Sequence, residues 1–285
     1  MQDTISHITS LLRSIGGGAT DPKKHHVTAI ILAAGIGSRM NAPNGTTKQM
    51  MELCGMPLIA HTVAVFEQSD AIREIVLVGR AEELPIYEEM KQRYGWQKLR
   101  SAVPGGDTRQ DSALEGFKAI SDETELVLFH DGARCLVTPD ILEQVAREGL
   151  LHGAAIAAEA VSSTVKQSDG QGFVAQTLDR TTVFLAQTPQ AFRPEVYRAA
   201  AYLHIQKGNS AVTDDAMLAE QEGLPVKLVL CAGENLKITT PHDLRIARVI
   251  LEERQEAREA EEAKSRESAE DRTAGRKKRK EARQP

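Results

Sequence analysis

A chain of 285 residues and 31.1 kDa is long enough for one large domain or two modest ones, and it needs no disulfides to bury a core. With 41% hydrophobic and 26% charged residues it has the composition of an ordinary globular protein, which excludes a fibrous, collagenous or wholly disordered chain. Its net charge of −5 lacks the footprint of a non-specific nucleic-acid binder. The cysteines Cys54, Cys135 and Cys231 lie far apart without a C-x-x-C spacing, so neither a zinc site nor a thioredoxin-like motif is indicated. No apolar run of about 18 residues and no signal-peptide pattern is found, so the expectation is a cytoplasmic chain that engages neither membrane nor nucleic acid.

Residues 1–26 read as an N-terminal extension, with Ile5, Ile8, Leu11, Leu12 and Ile15 at helical spacing before Gly16, Gly17 and Gly18. From Val27 onward short apolar runs alternate with amphipathic ones. Buried strands are predicted at Val27 to Leu32, Glu74 to Val78, Leu126 to Phe129, Ala154 to Ala158 and Leu228 to Cys231. Helices are predicted at Pro57 to Phe66, Ser112 to Ile120, Pro139 to Glu148, Pro194 to Ile205 and Thr213 to Glu222. Apolar strands separated by helices imply an α/β fold with a mostly parallel, Rossmann-like sheet covered on both faces. Within this unit, residues 27–251, the stretches Ser162 to Lys166 and Phe173 to Leu178 flank a glycine-rich turn. They read as a projecting β-hairpin arm at about residues 160–180, and such a hairpin needs something to pack against, a second subunit being the natural candidate. Residues 252–285 lose their large aliphatic side chains and read as a solvated helix or a disordered tail, ending in the cluster Arg276, Lys277, Lys278, Arg279 and Lys280.

The first strand runs straight into LAAGIGSRM. Small residues after a buried strand let backbone N–H groups approach phosphate oxygens, and Arg39 adds a forked donor; taken alone, a glycine pair is equally a tight turn. The third glycine of a dinucleotide loop is replaced by Met40, and no Walker A string occurs, which disfavours hydride transfer and P-loop ATPase chemistry. Lys48 follows as a second lasting cation. Gly105 to Ser112 places a glycine turn before a helix, either a nucleotide-binding loop or a plain capped helix start. Asp131, at the end of an apolar strand, is placed as a magnesium ligand facing phosphates or as a partner for Arg134.

Taken together, LAAGIGSRM, TKQ, GGDTRQDS, HDGAR, TLDR, AQTPQ, TDDA and NLKITTP, spanning about Val27 to Leu251, resemble the 2-C-methyl-D-erythritol 4-phosphate cytidylyltransferase family of the non-mevalonate isoprenoid pathway. The resemblance implies attack of the acceptor phosphate on the α-phosphorus of CTP, with Mg2+ assisting and Arg39, Lys48 and Lys237 as the catalytic cations. It implies Ala33, Ala34, Gly35, Gly106, Asp107, Ser112 and Gly132 around the cytidine nucleotide and Asp131 at the metal. Thr164, Arg180 and Thr188, with Arg134, would contact methylerythritol phosphate, and a homodimer would form through the hairpin arm. The sequence departs from the family in having Thr47 where a proline usually precedes the lysine, Ser163 in place of an aspartate, and a longer segment from Asn41 to Thr47. The rival expectations are a ribitol 5-phosphate cytidylyltransferase, a sugar-1-phosphate nucleotidyltransferase and a non-catalytic nucleotide-binding protein. No imidazole base is expected, because a phosphate nucleophile is already anionic.

Overall fold

The computed structural model describes residues 20–35, 37, 40, 47–207, 211–231 and 234–281, the last helix beyond residue 264 as backbone only. The expected helix in residues 5–15, the glycines at 16–18, Arg39, the segment 41–46 and the side chains of the basic cluster at 276–280 lie outside the described residues.

Strand β1 (Val27–Leu32) is followed by a short hairpin of β2 (Glu52–Leu53) and β3 (Met56–Pro57) and by helix α1 (Leu58–Gln68). Next come β4 (Glu74–Gly79), α2 (Leu84–Tyr94), β5 (Leu99–Pro104), α3 (Arg109–Lys118), β6 (Leu126–Asp131) and α4 (Pro139–His152). The second half contains β7 (Ala154–Ala160), β8 (Val165–Ser168), β9 (Val174–Leu178), β10 (Phe184–Phe192), α5 (Pro194–Gln206), α6 (Asp215–Gln221), β11 (Lys227–Leu230) and α7 (Pro241–Glu281). Seven strands form one sheet in the order β11-β7-β10-β6-β1-β4-β5, and β10 alone runs against the others. The mostly parallel α/β sheet expected from the sequence is thus present, and its carboxyl edge collects the loops after β1, β5 and β6.

Alternation along the strands explains the two layers. Val27, Ala29 and Ile31 of β1 join one core cluster with Ile59, Val63 and Phe66 of α1, Tyr87 and Met90 of α2 and Ile141 and Leu142 of α4. Ile30 and Leu32 point the other way, into a cluster with Ala113 of α3, Val196 and Tyr197 of α5 and Leu218 of α6. A strand buried on both faces reads as a continuous apolar run, which is why β1 could be placed residue for residue. A third cluster, containing Leu53, Leu58, Ala133, Leu136, Ile238 and Ala247, seats the start of α7 beside the loop after β6.

The chain just before β1 is tied down. A 3-10 turn at Pro22–Lys24 precedes His25, whose Nδ1 lies 2.8 Å from Glu125, and the His26 amide donates to the same carboxylate at 2.9 Å. The hairpin of β8 and β9 forms a separate two-stranded sheet, as the sequence predicts, and leaves Phe173 and Val174 73% and 62% exposed. No described helix is long and apolar enough to cross a membrane.

Candidate active site

At the carboxyl edge of the sheet lies a cleft of about 370 Å³, lined by Ala34, Gly35, Gly37, Lys48, Gln49, Gly106, Asp107, Thr108, Arg109, Ser112, Asp131 and Lys237 among others. Residues from five distant stretches of chain therefore meet in one place. The loop after β1 starts with Ala33 donating its amide to the Val78 carbonyl at 2.7 Å, which carries the chain off the sheet beside β4. Gly37 has φ +66, and a Cβ there would lie 2.9 Å from Cγ of Lys48, so the loop can run close to the lysine stem only with glycine. Lys48 is 9% exposed and donates to the Ile238 carbonyl at 3.2 Å.

The second loop is held by the start of α3. Gly105 lets the backbone pass where a Cβ would meet Ala34 at 2.5 Å and Ser112 Oγ at 2.7 Å. Thr108 and Asp111 form a reciprocal capping box. Ser112 Oγ donates to the Thr108 carbonyl at 2.9 Å and accepts from the Gly106 amide at 3.2 Å, so the described structure uses it to shape the loop.

Asp131 ends β6 directly opposite Leu32 of β1, and its side chain gathers cations. Lys237 Nζ is 2.8 Å from Oδ2, Arg109 Nε is 3.2 Å from Oδ1, and Arg134 Nε is 3.7 Å from Oδ2. Burial by itself would raise the pKa of this carboxyl, but Arg109 and then Lys237 and Arg134 hold it well below the usual carboxylate range. It is an anion at every working pH. The surplus positive charge is what a polyphosphate would meet.

Behind this layer sits a second one. Arg109 Nη1 donates to Asp215 at 2.8 Å, and the Asp215 carboxylate is fully buried. Arg134 Nη1 donates to the Asn235 carbonyl at 2.8 Å, while the Asn235 amide donates to Gln187 Oε1 at 2.9 Å and to the Thr188 carbonyl at 2.8 Å. These bonds occur where β10 breaks register with β7 between Ala186 and Gln190. The break frees backbone groups for Asn235, which in turn fixes the segment carrying Lys237. His130 is fully buried, with Nδ1 3.1 Å from Thr188 Oγ1 and Nε2 3.2 Å from the Arg134 carbonyl. Burial lowers its pKa to about 4, so the ring is neutral and serves as a structural bridge.

The predicted site residues thus divide. Ala34, Gly35, Lys48, Gly106, Asp107, Ser112, Asp131 and Lys237 line the cleft. Ala33 is buried, and Gly132 donates its amide to the Leu32 carbonyl at 2.8 Å, both shaping the cleft from behind. Thr188 is buried and accepts from the Asp131 amide at 3.0 Å, so in this chain it positions the aspartate. Arg134 stands at the side of Asp131. Thr164 and Arg180 are exposed on the arm, where Arg180 Nη1 donates to the Ser162 carbonyl at 2.7 Å; neither lines the cleft. Arg109, Gln49, Asp215 and Asn235 were within quoted motifs but received no role. The only signal for Arg109 was its place at the first turn of a helix after a glycine pair, and Asp215 offered none beyond a doubled aspartate.

A doubly covered α/β sheet with glycine loops and converging cations at its carboxyl edge makes a site for a polyphosphate, and its relatives make the class of protein a nucleotidyltransferase. A profile of the 2-C-methyl-D-erythritol 4-phosphate cytidylyltransferase (IspD) family matches residues 27–253, and the chain belongs to that family. A relative of that name from Pelotomaculum thermopropionicum is 41% identical over 230 residues, covering 80% of this chain and 95% of the relative. One from Alkaliphilus oremlandii is 43% identical over 235 residues, covering 81% and 97%. Among solved structures, the 4-diphosphocytidyl-2C-methyl-D-erythritol synthase of Anaerococcus prevotii superposes with a TM-score of 0.71 at 32% identity, covering 80% of this chain and 96% of that one.

Proposed function

We propose that the cleft transfers a cytidylyl group from CTP to 2-C-methyl-D-erythritol 4-phosphate, releasing pyrophosphate and 4-diphosphocytidyl-2-C-methyl-D-erythritol. The observation that carries this reading is the convergence of Lys237, Arg109 and Arg134 on the ionised Asp131, with Lys48 lining the same cleft, in a chain of this family. An oxygen of the acceptor phosphate forms a bond to the α-phosphorus of CTP, and the bond from that phosphorus to the bridging oxygen breaks, its electron pair leaving with pyrophosphate. No proton has to be removed from the nucleophile, so the protein's work is orientation and neutralisation of charge. Lys48 and Lys237, with Arg39 of the LAAGIGSRM stretch, meet the negative charge that builds on the α-phosphoryl oxygens and the leaving group. Ala33, Ala34, Gly35, Gly106, Asp107, Ser112 and Gly132 form the nucleotide side, where the glycines allow close backbone approach.

Mg2+ fits this site as a shared ion. Among the described residues no group of three or more His, Cys, Asp or Glu side chains could hold a metal alone. The hard oxygen donor at hand is Asp131, and magnesium takes one or two carboxylates together with phosphates and waters. When bound it would supply further charge neutralisation on the triphosphate. On the acceptor side we assign Arg134, with Thr188 acting through the Asp131 backbone it holds, and Thr164 and Arg180. The last two would reach a cleft only as part of a homodimer, and the exposed Phe173, Val174 and Leu185 beside the arm support burial against a second copy. The cytoplasm suits an enzyme whose three cysteines are all unpaired.

The deciding experiment incubates purified protein with CTP and Mg2+ and either methylerythritol phosphate or ribitol 5-phosphate. Product from methylerythritol phosphate is expected. A preference for ribitol 5-phosphate, or product only from UTP or GTP with a hexose phosphate, would overturn the assignment.

A further inference from the structure

The TDDA stretch contributes an ionisable group that the proposed chemistry leaves unused. Asp215 is the first residue of α6 and has no solvent exposure. Its carboxylate is not needed to cap the helix. Asp214 accepts from the Met217 amide at 3.0 Å, and Gln190 Oε1 accepts from the Ala216 amide at 3.0 Å while its Nε2 donates to Asp214 at 2.9 Å. The donors of the first turn that those bonds satisfy are thus served from β10 and Asp214. Asp215 instead spends its charge on Arg109, at 2.8 Å. Its other oxygen, Oδ1, is buried without a hydrogen bond of good geometry among the described residues, and the Tyr197 hydroxyl is the remaining polar group facing the carboxylate.

A buried carboxylate with so few partners is a poor source of stability, since a well-packed apolar side chain often does as well. What the pair supplies is geometry. Arg109 has one nitrogen on Asp215, another on Asp131, and Nη2 buried beside the cleft without an acceptor among the described residues. Two anions on different elements clamp a planar fork in one orientation; with a single anion the guanidinium would collapse onto Asp131 in a bidentate pair.

We propose that Asp215 is a positioning residue: it fixes Arg109 in a single-point contact with Asp131, Nε to Oδ1, so that the guanidinium does not close onto both aspartate oxygens and presents a fixed cation to the nucleotide. This rests on the reading of the cleft as a cytidylyltransferase site. Asp215 touches neither substrate and acts only through Arg109.

The test is a cycle of Asp215→Asn, Arg109→Gln and the double variant, with kcat and KM for both substrates and thermal melts of each. Asp215→Asn should lower kcat about 10-fold or more while KM stays within about threefold, the cost of a misplaced charge. Within the Arg109→Gln background the second change should cost less than about twofold. A folded Asp215→Asn with wild-type kcat, or independent multiplying effects, would overturn the proposal. Should Asp215→Asn fail to fold, Arg109→Lys, which keeps the charge but cannot bridge both carboxylates, should show the same loss of kcat; wild-type kcat from it would be equally fatal. A crystal structure of Asp215→Asn separates this proposal from the substrate assignment. Arg109 should have left its bridging position, and a guanidinium unmoved would overturn the clamp whichever acceptor the enzyme uses.

Discussion

The cleft and the hairpin arm are built on opposite principles. Around Asp131 three groups are backed by a further residue: the aspartate amide by Thr188, Arg134 by Asn235, and Arg109 by Asp215. On the arm, β8 and β9 bond to each other, and their side chains face outward, with Phe173 73% exposed. Among the described residues the cleft around Asp131 is assembled from a single chain and is preorganised, as electrostatic catalysis requires. The arm closes no site of its own among the described residues, so the role proposed for it has to come from what it docks against.

The largest effect should come from the preorganised side. Lys237→Ala removes the cation 2.8 Å from Asp131, and turnover should fall about 10²- to 10³-fold, as for loss of a fixed charge at a phosphoryl centre. Lys48→Ala should cost about 10²-fold or more. Steady-state rates at saturating CTP check both, and wild-type turnover from either variant would remove that lysine from the mechanism.

A second prediction sharpens the same region. His130 is buried neutral, with its pKa lowered to about 4 from an ordinary value near 6.5 by loss of hydration. In that window the unfolded chain takes up a proton and the native one does not. The stability the neutral ring contributes is therefore complete above about pH 6.5 and is lost as the pH falls toward about 4, by about 3 kcal/mol in all. Urea unfolding at pH 7 and pH 4.5 should show wild type losing more than His130→Gln across that interval; parallel losses would mean that another group carries the pH dependence.

The arm should respond to association. Phe173→Asp and Val174→Asp, at exposed positions, should shift a dimer toward monomer in sedimentation while leaving the monomer's melting point unchanged. Arg180→Ala should lower kcat/KM for the acceptor about 10-fold, a typical loss of one charged phosphate contact. A wild-type protein that sediments as a monomer at micromolar concentration would sink the arm's proposed role.

Much of this architecture was legible in the sequence, and the exceptions are physical. β1 was placed to the residue because both of its faces are buried. β5 was missed because only Leu99 of its six residues is buried, so as an edge strand it shows neither an apolar run nor a clean alternation. β10 was missed because Pro189 lies within it, and a proline ordinarily argues against a strand; here it falls where the ladder is already interrupted. At the site, the loops and cations could be read from their own stretches of chain. The clamps could not: Asp215 and Asn235 matter through partners 106 and 101 residues away, and no local pattern announces such a pairing.

The smallest predicted effect compares two capped turns, one in each region. In the cleft, Thr108 Oγ1 accepts from the Asp111 amide at 3.0 Å and Asp111 answers by accepting from the Thr108 amide at 3.1 Å, closing the start of a ten-residue helix that carries Arg109 and Ser112. Thr108→Ala should cost about 1 kcal/mol of unfolding free energy, because the freed amides belong to a helix packed on the core. On the arm, Asp179 accepts from the Thr181 amide at 3.0 Å in a three-residue turn that has no buried residues. Water replaces that bond freely, so Asp179→Ala should leave the unfolding midpoint where it was. Denaturant titrations of the two variants side by side measure the difference. Equal losses would mean that the arm folds with the body as one cooperative unit, and the contrast between an anchored cleft and a free arm would have to be given up.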